Sequence, residues 1–67
     1  MLKNMIDIDA NLFHSILYQK GVLSVQDLEK ITNYREPYIH LVVGCLLKDN
    51  RIHFLEKEDN LYIGLNT

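Results

Sequence analysis

Apolar residues recur in this chain first with the period of a helix and then, near its end, with the period of a strand. Leu12, Phe13, Ile16 and Leu17 fall on one helical face, which predicts a helix from about Asp9 to Lys20. Asp9 suits its N-cap, because a carboxylate there accepts from the free N–H groups of the first turn. Gly21 suits its end, because glycine takes a positive φ without steric cost. Met5, Ile6 and Ile8 precede this helix and either pack as a short arm or extend it. Val22-Leu23 reads as a very short strand. Ser24, followed by Asp27, resembles a capping box and opens a second helix from Val25 to about Ile31, in which Val25, Leu28 and Ile31 continue at helical spacing. Thr32 to Arg35 breaks the pattern. Pro37, which has no N–H to lose in a first turn, restarts it after Glu36. The third helix runs to about Lys48, with Ile39, Val42, Val43, Leu46 and Leu47 as its core stripe. Asp49-Asn50 has turn chemistry.

Beyond the turn the alternation changes to that of strands. Arg51 to Leu55 places Ile52 and Phe54 on one face and His53 on the other. Leu61 to Leu65 places Leu61, Ile63 and Leu65 on one face and Tyr62 on the other. The polar stretch Glu56 to Asn60 between them reads as the loop of a β-hairpin. The predicted order is therefore helix, short strand, helix, helix, hairpin, with a tight turn between the second and third helices. That is the order of a winged helix-turn-helix. It is a mainly α, α+β fold of three helices and a small antiparallel sheet, with Val22-Leu23 as the third strand, in one domain over residues 1–67.

Composition narrows the function classes. A chain of 67 residues buries only about 60% of the surface its unfolded form exposes, so a partner or a second copy is a common remedy for its small core. Apolar residues make up 48%, enough to rule out disorder by composition. No apolar run approaches the ~18 residues that a membrane span needs. The opening Met1 to Met5 lacks the apolar core of a signal peptide, so a cytoplasmic location is expected. One cysteine, Cys45, leaves no internal disulfide, and His14, His40 and His53 lack paired ligand spacing. No phosphate loop, nucleophile elbow or acid–base pair is present. Neither an enzyme, nor a cofactor, nor a small-molecule ligand is expected. The net charge of −2 argues against simple nucleic-acid binding, which is normally the work of basic domains.

The run Val42-Val43-Gly44-Cys45-Leu46-Leu47-Lys48-Asp49-Asn50-Arg51-Ile52 resembles a pattern from a family of short prokaryotic winged-helix proteins of uncharacterised function. That pattern is an apolar pair, Gly, Trp, Leu, a small or apolar residue, a basic and an acidic residue, a variable one, a basic one and Ile. Ala10 to Gly21 fits the family's opening helix. Cys45 departs from it, standing where the family tends to have tryptophan. The resemblance implies the fold and, by analogy with other members of that fold, an association with DNA binding or regulation.

Two sets of residues are candidates for that function. A DNA-binding member of this fold lays its third helix in the major groove. Here Arg35, Tyr38 and His40 would meet the duplex, with Lys30 and Lys57 on phosphates. Few side chains suited to base edges accompany them. The wing tip, with Glu56, Glu58 and Asp59 against Lys57, would be repelled by phosphates. The alternative is a protein-interaction module, most simply a homodimer. Its candidate surface is Tyr38, Leu41, Gly44, Cys45 and Lys48 on the third helix, an apolar face better suited to protein than to a duplex. Gly44 costs a helix about 0.5–1 kcal/mol relative to alanine. That suggests close packing, against the first helix or across a dimer. Cys45 is expected to be an inert, packed thiol. Tyr34 and Tyr38 are expected as interface or half-buried packing residues.

Overall fold

The computed structural model describes residues 2–66, and side chains from Met5 to Asn66. Helix α1 (Leu2–Lys20) leads to strand β1 (Leu23–Ser24), then to helices α2 (Val25–Thr32) and α3 (Glu36–Lys48), and finally to strands β2 (Ile52–Lys57) and β3 (Asn60–Leu65). The sheet has the order β1-β3-β2 with both pairings antiparallel, so β3 is central. This is the expected α+β winged helix, with the hairpin β2–β3 as the wing.

Local chemistry sets the boundaries of α2. The Ser24 hydroxyl accepts from the Asp27 N–H at 3.1 Å, and the Asp27 carboxylate accepts from the Ser24 N–H at 3.0 Å. Those two bonds satisfy donors that a helix start leaves free. They also hold the Asp27 carboxyl below its ordinary value, with the Ser24 N–H the largest cause. At the other end Asn33 adopts a left-handed conformation, φ 61°, and its N–H returns to Glu29 O at 2.8 Å. Thr32 Oγ1 donates to Leu28 O at 2.6 Å and accepts from the Tyr34 N–H at 3.1 Å. The helix-turn-helix corner is thus closed by its own side chains, and Pro37 starts α3 as expected.

Phe13 and Leu17 of α1, Leu28 of α2, Ile39, Val42 and Leu46 of α3, and Ile52 and Ile63 of the sheet are buried in one core. Asn66 fastens the chain end beneath it. Its amide donates to Asn50 O at 2.8 Å and to Ile52 O at 3.1 Å, and its oxygen accepts from His53 Nδ1 at 2.6 Å.

Several expectations are corrected. Asp9 caps nothing: α1 begins at Leu2, and Asp9 lies inside it, buried. Met5, Ile6 and Ile8 therefore extend the helix and form no arm. The first strand is Leu23–Ser24, with Val22 just outside. Glu56–Asn60 is not a loop, because β2 runs to Lys57 and β3 starts at Asn60. The turn is only Glu58-Asp59, both at positive φ (52° and 67°), the signs of a type I′ turn. Leu47, placed on the core stripe by spacing, remains 44% exposed, because the helical turn rotates it off the buried face that Leu46 occupies and toward the wing.

Candidate functional site

Two surfaces flank α3, and the helical period decides which residues belong to each. Tyr38, Leu41, Cys45 and Lys48 follow one flank, beside α1. His40, Gly44 and Leu47 follow the other, beside the wing.

The α1 flank is anchored by a buried carboxylate. Asp9 is 8% exposed and accepts a hydrogen bond on each oxygen, from the Tyr34 hydroxyl at 3.0 Å and from the Tyr38 hydroxyl. The tyrosines meet edge to face at 5.2 Å between ring centres, and Tyr34 stacks on Phe13 at 6.3 Å. A carboxylate accepting from a phenol stabilises the protonated phenol. Asp9 accordingly raises the Tyr34 hydroxyl and pushes that of Tyr38 up to about 12. Met5, Asn33 and Arg35 close an open cleft of about 410 Å³ around these groups. Among the described residues every buried side-chain polar atom has a partner.

This flank is less exposed than its sequence suggests. Tyr38 and Cys45 are half-buried and pack against the core, which leaves Leu41, at 54% exposure, as its free apolar residue, with Lys48 exposed beyond. Tyr34 and Tyr38 are indeed half-buried packing residues. Gly44 does not belong with them. It lies on the wing side, and a Cβ added there would meet nothing within 4 Å. Close packing against the described residues is therefore not what the glycine serves, and the expectation that it packs against the first helix is corrected.

The wing flank holds a shallow groove between α3 and the hairpin. One end, about 170 Å³, is lined by Val25, His40, Val43, Gly44, Phe54 and Leu61, nearly all apolar. It continues through Val25, His40 and Leu61 into a more polar end of about 180 Å³ that reaches Glu36. Phe54 and Leu61 are 42% and 51% exposed, although strand alternation turns them to the inner face. The wing extends past the core, so its inner face is open there. Glu56 pairs with Leu61 and shares the face of Phe54.

The candidate DNA-contacting residues are not gathered on one surface. Arg35 is exposed at the start of α3 and shares the Asp9 cleft with Tyr38, whose hydroxyl is already engaged. His40 lies in the wing groove. Lys30 is exposed on α2, where its charge helps to lower Asp27. Lys57 lies on the outer side of the sheet, beside Val22, Leu55 and Tyr62. Among the described residues no group of His, Cys, Asp and Glu is arranged to hold a metal ion. No described helix is long and apolar enough to cross a membrane.

Over residues 1–65 the chain matches the family described as winged helix-turn-helix domain (DUF2582). It belongs to that family. The match spans every element of this DUF2582 domain, from α1 to the last residue of β3. No curated protein and no solved structure matches the chain.

Sequence reasoning missed Asp9 and the wing groove. An Asp before an apolar stripe carries the same signal whether it caps a helix or lies buried within one. The groove had a usable signal in Gly44, whose helical period sets it apart from Leu41 and Cys45 and beside His40.

Proposed function

We propose that this DUF2582 domain is a non-enzymatic interaction module whose α3–wing surface takes a protein partner. The observation that carries this reading is the character of that surface. In the angle where a DNA-binding winged helix would need cations, Phe54 and Leu61 are exposed, Glu36 lines the polar end of the groove, and Glu56 lies beside Leu61 on the wing. Apolar surface of this kind suits protein, and carboxylates there oppose phosphate. The net charge of −2 and the acidic residues at the wing tip point the same way.

A second reading, a DNA-associated regulator in the cytoplasm, is favoured by membership of a winged helix-turn-helix family and by the exposed Arg35 at the entrance of α3. In it Arg35, Tyr38 and His40 meet the duplex while Lys30 and Lys57 contact phosphates. So few cations imply a dimer.

Amide NMR titration with a mixed-sequence duplex at low salt separates the two, because non-specific binding is strongest there. The protein-partner reading expects no localised shifts. Shifts confined to residues 35–41 and the wing, fading with added salt and lost in Arg35→Glu, would establish the DNA reading instead. Sedimentation at high concentration tests a separate surface, a second copy joined through Leu41 and its neighbours on the α1 flank of α3.

A further inference from the structure

We infer that the groove between α3 and the wing receives a large apolar side chain from a protein segment whose flanking residues are lysine or arginine. This inference rests on the protein-partner reading and specifies its chemistry. Three observations carry it.

The first is Gly44. Glycine weakens a helix interior relative to alanine, and here no neighbour among the described residues demands it, since its Cβ would project into empty space. That empty space is the floor of the groove. A side chain at position 44 would fill the groove without disturbing the fold. The glycine therefore keeps the groove open for something outside the described chain.

The second is the lining. Val43 forms a buried base, while Phe54 and Leu61 of the wing form an exposed apolar wall. Val25, at the start of α2, lines the groove where its two ends meet. A cavity of about 170 Å³ with such walls fits one large apolar side chain and is too small for a packed domain surface.

The third is charge. Glu36 lines the polar end, Glu56 extends the wall beside Phe54 and Leu61, and no lysine or arginine lines either end among the described residues. Complementarity selects a cationic partner and works against a polyanion. It also disfavours a second copy of a chain that is itself acidic.

The test uses the full chain and two synthetic amphipathic helices, one built of leucine and lysine and one of leucine and glutamate. Amide shifts are followed for each. The expected result is that the leucine–lysine helix perturbs His40, Gly44, Phe54 and Leu61, while the leucine–glutamate helix does not. Gly44→Leu should weaken that binding by about tenfold or more, as removal of an anchoring pocket does, with thermal unfolding confirming that the variant folds. Glu36→Lys with Glu56→Lys should weaken it without touching the apolar walls. Equal binding of both helices at the groove would overturn the cationic partner and leave the protein-partner reading standing. Shifts scattered over the surface, or self-association lost in Gly44→Leu, would overturn the proposed occupant. Groove shifts produced by a DNA duplex and by neither helix would overturn both readings.

Discussion

The Tyr38 hydroxyl donates to the Asp9 carboxylate, and through that bond α3 is held against the N-terminal half of α1. The Tyr34 hydroxyl takes the other oxygen, so one buried acid joins the first helix, the corner of the helix-turn-helix and α3. A buried carboxylate is tolerated when its acceptors are filled, and leaving its donors without a partner carries most of the cost of a deletion. Asp9→Ala should therefore lower stability by about 2 kcal/mol in denaturant unfolding. Replacing both tyrosines by phenylalanine should cost at least as much, because the carboxylate then stays buried with neither donor.

The same cluster predicts a loss of stability in alkali. The folded Tyr38 hydroxyl ionises at about 12 against an ordinary 10.0, and that of Tyr34 is raised as well. A group that holds its proton more tightly when folded contributes stability that is complete below its unfolded value and is lost as pH rises through its folded value. The thermal midpoint should fall between pH 10 and about 12, and less steeply in Tyr38→Phe. Parallel slopes in the two proteins would remove the Asp9–Tyr38 bond as the cause.

How much of this was legible in the sequence depends on the range of the interaction. Ser24 with Asp27, and Pro37 at the start of α3, act within one helical turn, and both boundaries were readable from residue type alone. The partners of Asp9 lie 25 and 29 residues away, so nothing local distinguishes its buried role from a cap. Alternation correctly turned Phe54 and Leu61 inward. It could not say that the core stops at Ile52 and Ile63, which leaves those side chains as walls of a groove. Of the candidate site residues, the period separates Gly44 from Leu41, but only the three-dimensional arrangement shows the space above it.

The capping box makes a measurable contribution to α2. Ser24→Ala removes the side-chain acceptor for the Asp27 N–H and should cost about 1 kcal/mol at neutral pH. The Asp27 carboxyl is held below its ordinary value of 3.8 in the fold. Its contribution is present above that value and is lost as pH falls through the lowered one. The gap between wild type and Asp27→Asn should therefore narrow in strong acid.

The wing turn is built from residues that fit it poorly. Glu58 and Asp59 both take positive φ, which strains the longer Glu58 side chain most and which asparagine and glycine adopt at least cost. Glu58→Asn with Asp59→Gly should raise stability by about 0.5–1 kcal/mol, since the native conformation already suits the new residues. Unfolding by denaturant measures the gain. An unchanged midpoint would mean that the hairpin contributes little to the cooperative unit.

Two glycines should respond to alanine with opposite signs. At Gly44 the added methyl meets no atom within 4 Å, so the helix gains its propensity without a clash. Gly44→Ala should stabilise the domain by about 0.5–1 kcal/mol. At Gly64 the methyl would lie 3.2 Å from His53 Nε2 and 3.5 Å from Val22 Cγ2. The His53 ring is fastened to Asn66, which also holds Asn50 and Ile52, so its displacement loosens the seam that closes the chain end. Gly64→Ala should therefore destabilise. Thermal unfolding of the pair tests the difference directly. A stabilised Gly44→Ala that binds the leucine–lysine helix less well would mean that the glycine is kept for the groove at the expense of the fold. A destabilised one would mean that α3 tolerates no side chain there, and the groove would lose its strongest argument.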